Sequence, residues 1–121
     1  MSGRVFRAEE MEWVLPPGHH DAFSKKLVCP DNSETKDLDF RVSLVRPQGH
    51  IEVHHHAVAE NLYYIIRGTG LMELDGERHT LAPNTVIHVP PGVRHGLWNT
   101  GFEDLVFVVV ALPAHDMPPT S

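Results

Sequence analysis

Glycine, proline and small polar clusters break this chain every eight to twelve residues, and short alternating or wholly apolar stretches run between them. That rhythm predicts an all-β fold, a sandwich or barrel, because the chain is turned before a long helix could form. Pro16-Pro17-Gly18 closes an N-terminal segment, and Asp31-Asn32-Ser33 is a polar break. Residues 38–46 alternate, with Leu38, Phe40, Val42 and Leu44 on one face. Pro47-Gln48-Gly49 then turns the chain into a strand over residues 51–56, and residues 62–67 form another, ended by Gly68-Thr69-Gly70. Residues 71–74 and 78–81 flank Asp75-Gly76, a pair suited to the positive φ of a type I′ hairpin turn. Strands are also expected over 86–89, around His95 and over 105–112, with residues 7–13 the single helix candidate. The tail after Pro113 is expected to fray.

At 121 residues the chain is expected to form one domain over 1–121, with its core at about 36–113. A chain of this size buries roughly two-thirds of its unfolded surface and needs no covalent staple. A net charge of −6 argues against nucleic acid, whose phosphates require a basic face. Cys29 stands alone, so neither an intrachain disulfide nor a cysteine-rich zinc site is available. The first eighteen residues contain no apolar run longer than three residues, and the longest such run in the chain, 105–112, has eight. Spanning a bilayer takes about twenty. The expectation is therefore a cytoplasmic protein with no membrane partner.

Ten histidines are the outlying count, and their placement carries chemistry. His54 and His56 stand at i, i+2, so on a strand both rings point to one side of the sheet. A third imidazole from another strand, His95, could complete three sides of a metal site and leave positions open for water or substrate. His55 should point the opposite way.

Around these residues the sequence resembles the cupin superfamily. Gly49, His54-His55-His56, an acidic or amide residue shortly after, and Gly68 resemble the first cupin motif; Pro90, Gly92, His95 and Asn99 resemble the second. The two motifs and the loop between them cover about residues 49–99, with Asn84 where the family usually has Gly, and Gly49 one residue nearer the first His than is usual. The resemblance implies a small single-domain monocupin, a double-stranded β-helix (jelly-roll) barrel. It also implies that His54, His56 and His95 hold a divalent transition metal: Fe, Mn, Ni, Zn or Cu. The oxygen ligand has two candidates. Glu60 follows His56 after three residues, whereas counting back from Gly68 gives Asn61. A carboxylate binds such ions better than an amide, but strand parity does not carry through the intervening turn.

Other polar residues read more simply. Tyr63 shares a face with Asn61 and Tyr64 with Glu60, so one of the two tyrosines would line the pocket; with His88 they are the catalytic candidates. His50 reads as a surface residue, His19-His20 as a polar loop, and Arg41 and Arg94 as solvated side chains that could otherwise pair with an anionic substrate. Asn99 is expected to tie a turn.

The family resemblance implies an enzyme acting on a small oxygenated organic substrate at the open metal positions. Its reaction would be of the dioxygenase type, or non-redox lyase, cyclase or isomerase chemistry; the alternative is a non-catalytic small-molecule-binding module. Residues 1–30 are expected to contribute to a homodimer, with Trp13, Val14, Leu15, Leu27 and Val28 adding a strand to a neighbour's sheet.

Overall fold

The computed structural model describes residues 3–117; the first two residues and the last four of the tail lie outside the described residues. Eight strands form one curled sheet: β1 (His19–Val28), β2 (Asp39–His54), β3 (Glu60–Arg67), β4 (Gly70–Leu74), β5 (Glu77–Leu81), β6 (Val86–Val89), β7 (His95–Asn99) and β8 (Leu105–Leu112). Their order is β5-β4-β7-β2-β8-β3-β6, with β1 also pairing β2, and all pairs are antiparallel. The all-β fold expected from the turn rhythm is observed, and it is the jelly-roll that the family resemblance implies.

The two strands expected before and after Pro47 are one. The chain does not reverse there, because Gln48 takes a positive φ of 69° and lets β2 bend and continue. Before the bend β2 pairs with β8, and after it with β7, so a single strand joins the two halves of the curled sheet. Gly49 is required at this corner, since a Cβ there would lie 2.5 Å from the Asp21 carbonyl oxygen. The Asp75-Gly76 hairpin forms as expected, both residues having positive φ. Asn84 also has positive φ, 70°, which accounts for a turn residue where the related motif carries Gly.

Both ends of the chain differ from expectation. Residues 7–13 contain only a short 3-10 turn, Ala8–Glu10. Within the chain, the second half of the 1–30 segment supplies β1 to its own sheet, and Val14 bridges Ser24 at its edge. Beyond Pro113 the chain does not fray at once, because Ala114–Asp116 forms a second 3-10 turn. The Asp116 carboxylate accepts the Val58 and Ala59 amides at 2.7 and 2.8 Å, fastening this turn to the loop after β2. Among the described residues no helix is long and apolar enough to cross a membrane.

The core sits inside the barrel. Ile65, Met72, Leu81, Leu97, Leu105 and Phe107 are almost completely buried there. Asn99 ties the adjoining turn as expected: its amide donates to the Val45 and Glu103 carbonyls, and its carbonyl accepts the Gly101 amide.

Candidate metal centre

His54 ends β2, His56 follows it, and His95 opens β7; His54 and His95 are register partners across the two strands. That pairing brings the His54 and His95 rings to 4.2 Å, while His56 lies 5.1 Å from His54 and 5.6 Å from His95 between ring centroids. One donor atom from each lies within 4.8 Å of the others, so the three could hold a metal ion.

The backbone selects which nitrogen faces inward. His54 Nδ1 lies 2.7 Å from the Glu52 carbonyl and His95 Nδ1 2.9 Å from the Val93 carbonyl. A carbonyl only accepts, so each Nδ1 carries the proton and each Nε2 keeps its lone pair. Both rings use the carbonyl two residues earlier, and the strands thereby set ring orientation as well as position.

Three buried polar atoms lack a partner among the described residues: His56 Nε2, His95 Nε2 and Asn61 Oδ1. Buried polar atoms are rarely left unpaired, and here three acceptors are orphaned together. A divalent cation held by the three imidazoles would satisfy the two ring nitrogens, and the donors present, imidazole nitrogens with an amide oxygen in the same cavity, fit a transition metal. Burial pushes all three histidines below the usual imidazole range, opposed by the hydrogen bonds that His54, His56 and His95 donate to the Glu52, Asp116 and Val93 backbone respectively. His95 reaches about 4, chiefly through burial and then through its neighbour His54. The rings are therefore neutral at physiological pH, the form that binds metal.

Between the two oxygen candidates, the structure places Asn61 inside and Glu60 outside. Asn61 is 2% exposed and donates through Nδ2 to the Tyr63 hydroxyl at 3.4 Å, which leaves its Oδ1 unpaired. Glu60 is exposed and pairs with His88 Nε2 at 2.9 Å on the outer surface, so neither residue reaches the three imidazoles. Tyr64 is also outside, its hydroxyl donating to Asn84 Oδ1 at 2.6 Å. Of the three catalytic candidates only Tyr63 lines the cavity. Burial raises its hydroxyl pKa, against the lowering influence of Asn61 and Arg41, so the phenol stays protonated.

Three further placements alter the sequence reading. Arg41, expected in solvent, is 4% exposed and bidentate to buried Asp39, with Nε–Oδ1 at 2.7 Å and Nη2–Oδ2 at 3.0 Å. The inner face of that half of β2 is thus Asp39, Arg41, Ser43 and Val45, while Phe40, Val42 and Leu44 lie on the outer side. His19 is not in a polar loop; it opens β1, bonds to the Pro17 carbonyl at 3.1 Å and lines the cavity beside His54. His50 is stacked between His20 and Trp98, away from the cavity, and His55 is exposed. Met117, missed in the sequence, lines both the cavity and the recess outside it.

Residues 41–111, more than half the chain, match the Cupin domain family (Cupin_2). Over 101 residues the chain is 35% identical to Protein SchB of Streptomyces halstedii, covering 84% of this chain and 73% of that protein. An uncharacterized protein of Methanocaldococcus jannaschii, MJ1618, is 33% identical over 63 residues, which cover 52% of this chain and 50% of that protein. The chain thus spans about half the length of this archaeal relative. Among solved structures, the polyketide cyclase RemF from Streptomyces resistomycificus superposes with a TM-score of 0.78 at 25% identity, covering 98% of this chain and 82% of that one.

Proposed function

The chain belongs to the cupin family, and from that premise we propose that it is a metal-dependent enzyme performing non-redox chemistry of the cyclase, lyase or isomerase type on a small oxygenated substrate. The observation that carries this reading is the convergence of His54, His56 and His95, two of whose Nε2 atoms are unpaired, beside a cavity that Asn61, with its own unpaired amide oxygen, also lines. The kinship in fold to a polyketide cyclase over nearly the whole chain favours the non-redox branch.

His54, His56, His95 and Asn61 hold the ion. When bound, it supplies Lewis-acid polarisation of a substrate oxygen. Tyr63, protonated and buried beside Asn61, donates a hydrogen bond or proton to substrate oxygen. His19, at the rim, is placed to take up a proton. Elemental analysis of protein purified without a histidine tag, followed by titration of the metal-free chain with Zn(II) or Co(II), tests the reading. One equivalent of uptake is expected, abolished by His54→Ala and by His95→Ala while a folded β-rich domain remains. Absence of uptake by the wild type overturns it. Native iron with consumption of O₂ would move the assignment to the dioxygenase branch, and saturable ligand binding without turnover would move it to a binding module.

We also propose that the protein pairs with a second copy of itself through the outer face of β3 and β6 rather than through residues 1–30. Leu62, Tyr64 and Ile66 are exposed at alternate positions of β3, and Val86, register partner of Tyr64, extends the same apolar face. A dimeric mass in light scattering at micromolar concentration is expected, and Ile66→Glu should yield a monomer.

A further inference from the structure

Arg41 lies in the interior of the barrel although its charge gives it every reason to be in water. It lines the same cavity as His54, His56, Asn61 and Tyr63, and its side chain and that of Asp39 are each only 5% exposed. A buried ion pair is generally no more stabilising than apolar residues of the same volume, so stability does not account for it. Asp39 takes Nε and Nη2 and holds the guanidinium plane; Nη1 has no part in the pair. Nearby, Ser24 and Ser43 share a hydrogen bond of 2.9 Å and line the same wall.

The charge balance of the interior points the same way. Arg41 and Asp39 cancel. The candidate ligands, three neutral imidazoles and one amide, contribute no negative charge; Glu60 is outside with His88, and the Glu52 and Asp116 carboxylates line the outer recess rather than the inner cavity. A divalent ion at this site would therefore bring two positive charges that none of its own ligands neutralises, which favours an anionic guest in the inner cavity. Size limits that guest. The inner cavity is about 40 Å³, room for roughly three waters or one carboxylate-sized group. It shares His19, His54, His56 and Met117 with an outer recess of about 420 Å³.

We propose that Arg41, held by Asp39, is a carboxylate-binding residue, and that the substrate is an organic acid whose carboxylate enters the inner cavity while its body occupies the outer recess. The inference rests on the metal-centre reading above. It explains why a planar, two-pronged donor stands where a packed leucine would be stable.

The test uses the full chain loaded with Co(II), titrated with glycolate and with its neutral counterpart glycolamide, and read by calorimetry and by cobalt visible absorption. The wild type should bind glycolate about tenfold or more tighter than glycolamide. Arg41→Gln should remove that preference and leave both Co(II) uptake and glycolamide binding unchanged. Because Arg41→Gln strands a buried Asp39, the double variant Asp39→Asn/Arg41→Gln, which removes both charges, should show the same loss while folded by circular dichroism. Wild-type glycolate affinity in the folded double variant, or no preference in the wild type, overturns the proposal. Failure of the wild type to take up Co(II) is a separate result: it overturns the metal centre itself.

Discussion

The barrel interior has two halves that obey different rules. Around Ile65, Met72, Leu97 and Leu105 the lining is apolar and closed, and each side chain is at most 2% exposed. Around Asp39, Arg41, Ser43, Asn61, His56 and His95, with half-buried His54 beside them, the same sheet presents charges, hydroxyls and unpaired acceptors at comparable burial. Single strands contribute to both halves: β2 supplies Val45 and Arg41, β3 supplies Ile65 and Asn61. The apolar half carries the folding free energy, in proportion to the area it removes from water. The polar half costs desolvation that its own contacts do not fully offset, since three of its polar atoms are unpaired among the described residues. One set of strands thus holds a chemical site rigid by being well packed a few residues away.

The contrast can be broken first at its apolar side. Leu105→Ala removes a fully buried side chain and should cost about 2–5 kcal/mol in chemical denaturation, yet the folded fraction should still take up one equivalent of Co(II). A destabilised protein that also loses its ion would mean the two halves are not separable.

Acid probes the polar half. His54, His56 and His95 are all held below the usual 6.5, His95 at about 4. Between these values the unfolded chain binds more protons than the folded one, so stability rises with pH across that window. The metal-free protein should have its full stability above pH 6.5 and lose it progressively towards pH 4. His95 alone should contribute a loss of up to about 3 kcal/mol, measured as falling urea midpoints. Midpoints that stay flat from pH 7 to 4 would show that these rings are not buried as neutral groups.

The smallest effect is expected outside the barrel. Glu60→Gln changes an exposed pair with His88 and should shift stability by no more than about 0.5 kcal/mol, with metal uptake intact. A large loss of uptake would place the carboxylate among the ligands and remove Asn61 from that role.

Much of this was legible beforehand, and the gaps have definite causes. The Asp75-Gly76 hairpin and the β8 run follow from turn chemistry and apolar patterning, the pairing of His54 with His56 from strand parity, and the addition of His95 from the motif resemblance. The choice between Glu60 and Asn61 did not, because β3 is apolar on both sides. Leu62, Tyr64 and Ile66 face outward while Tyr63 and Ile65 face inward, so hydrophobicity gives no inward parity. The same ambiguity hid Arg41. Phe40, Val42 and Leu44 mark the more apolar side of β2, but that side faces away from the cavity, and the charged side lines it. The bend at Gln48 was hidden for a different reason: Pro-Gln-Gly reads as a reversal, and only a non-glycine residue at positive φ turns it into a corner.

The clasp between Asp116 and the Val58 and Ala59 amides brings the end of the described chain to the doorway of the site, with Met117 on its threshold. Anything appended at the C-terminus would be tethered within a few residues of that entrance. A polyhistidine purification handle placed there could offer its own rings to the ion and counterfeit a binding stoichiometry. Attaching it at the opposite terminus, or cleaving it before titration, keeps the count honest.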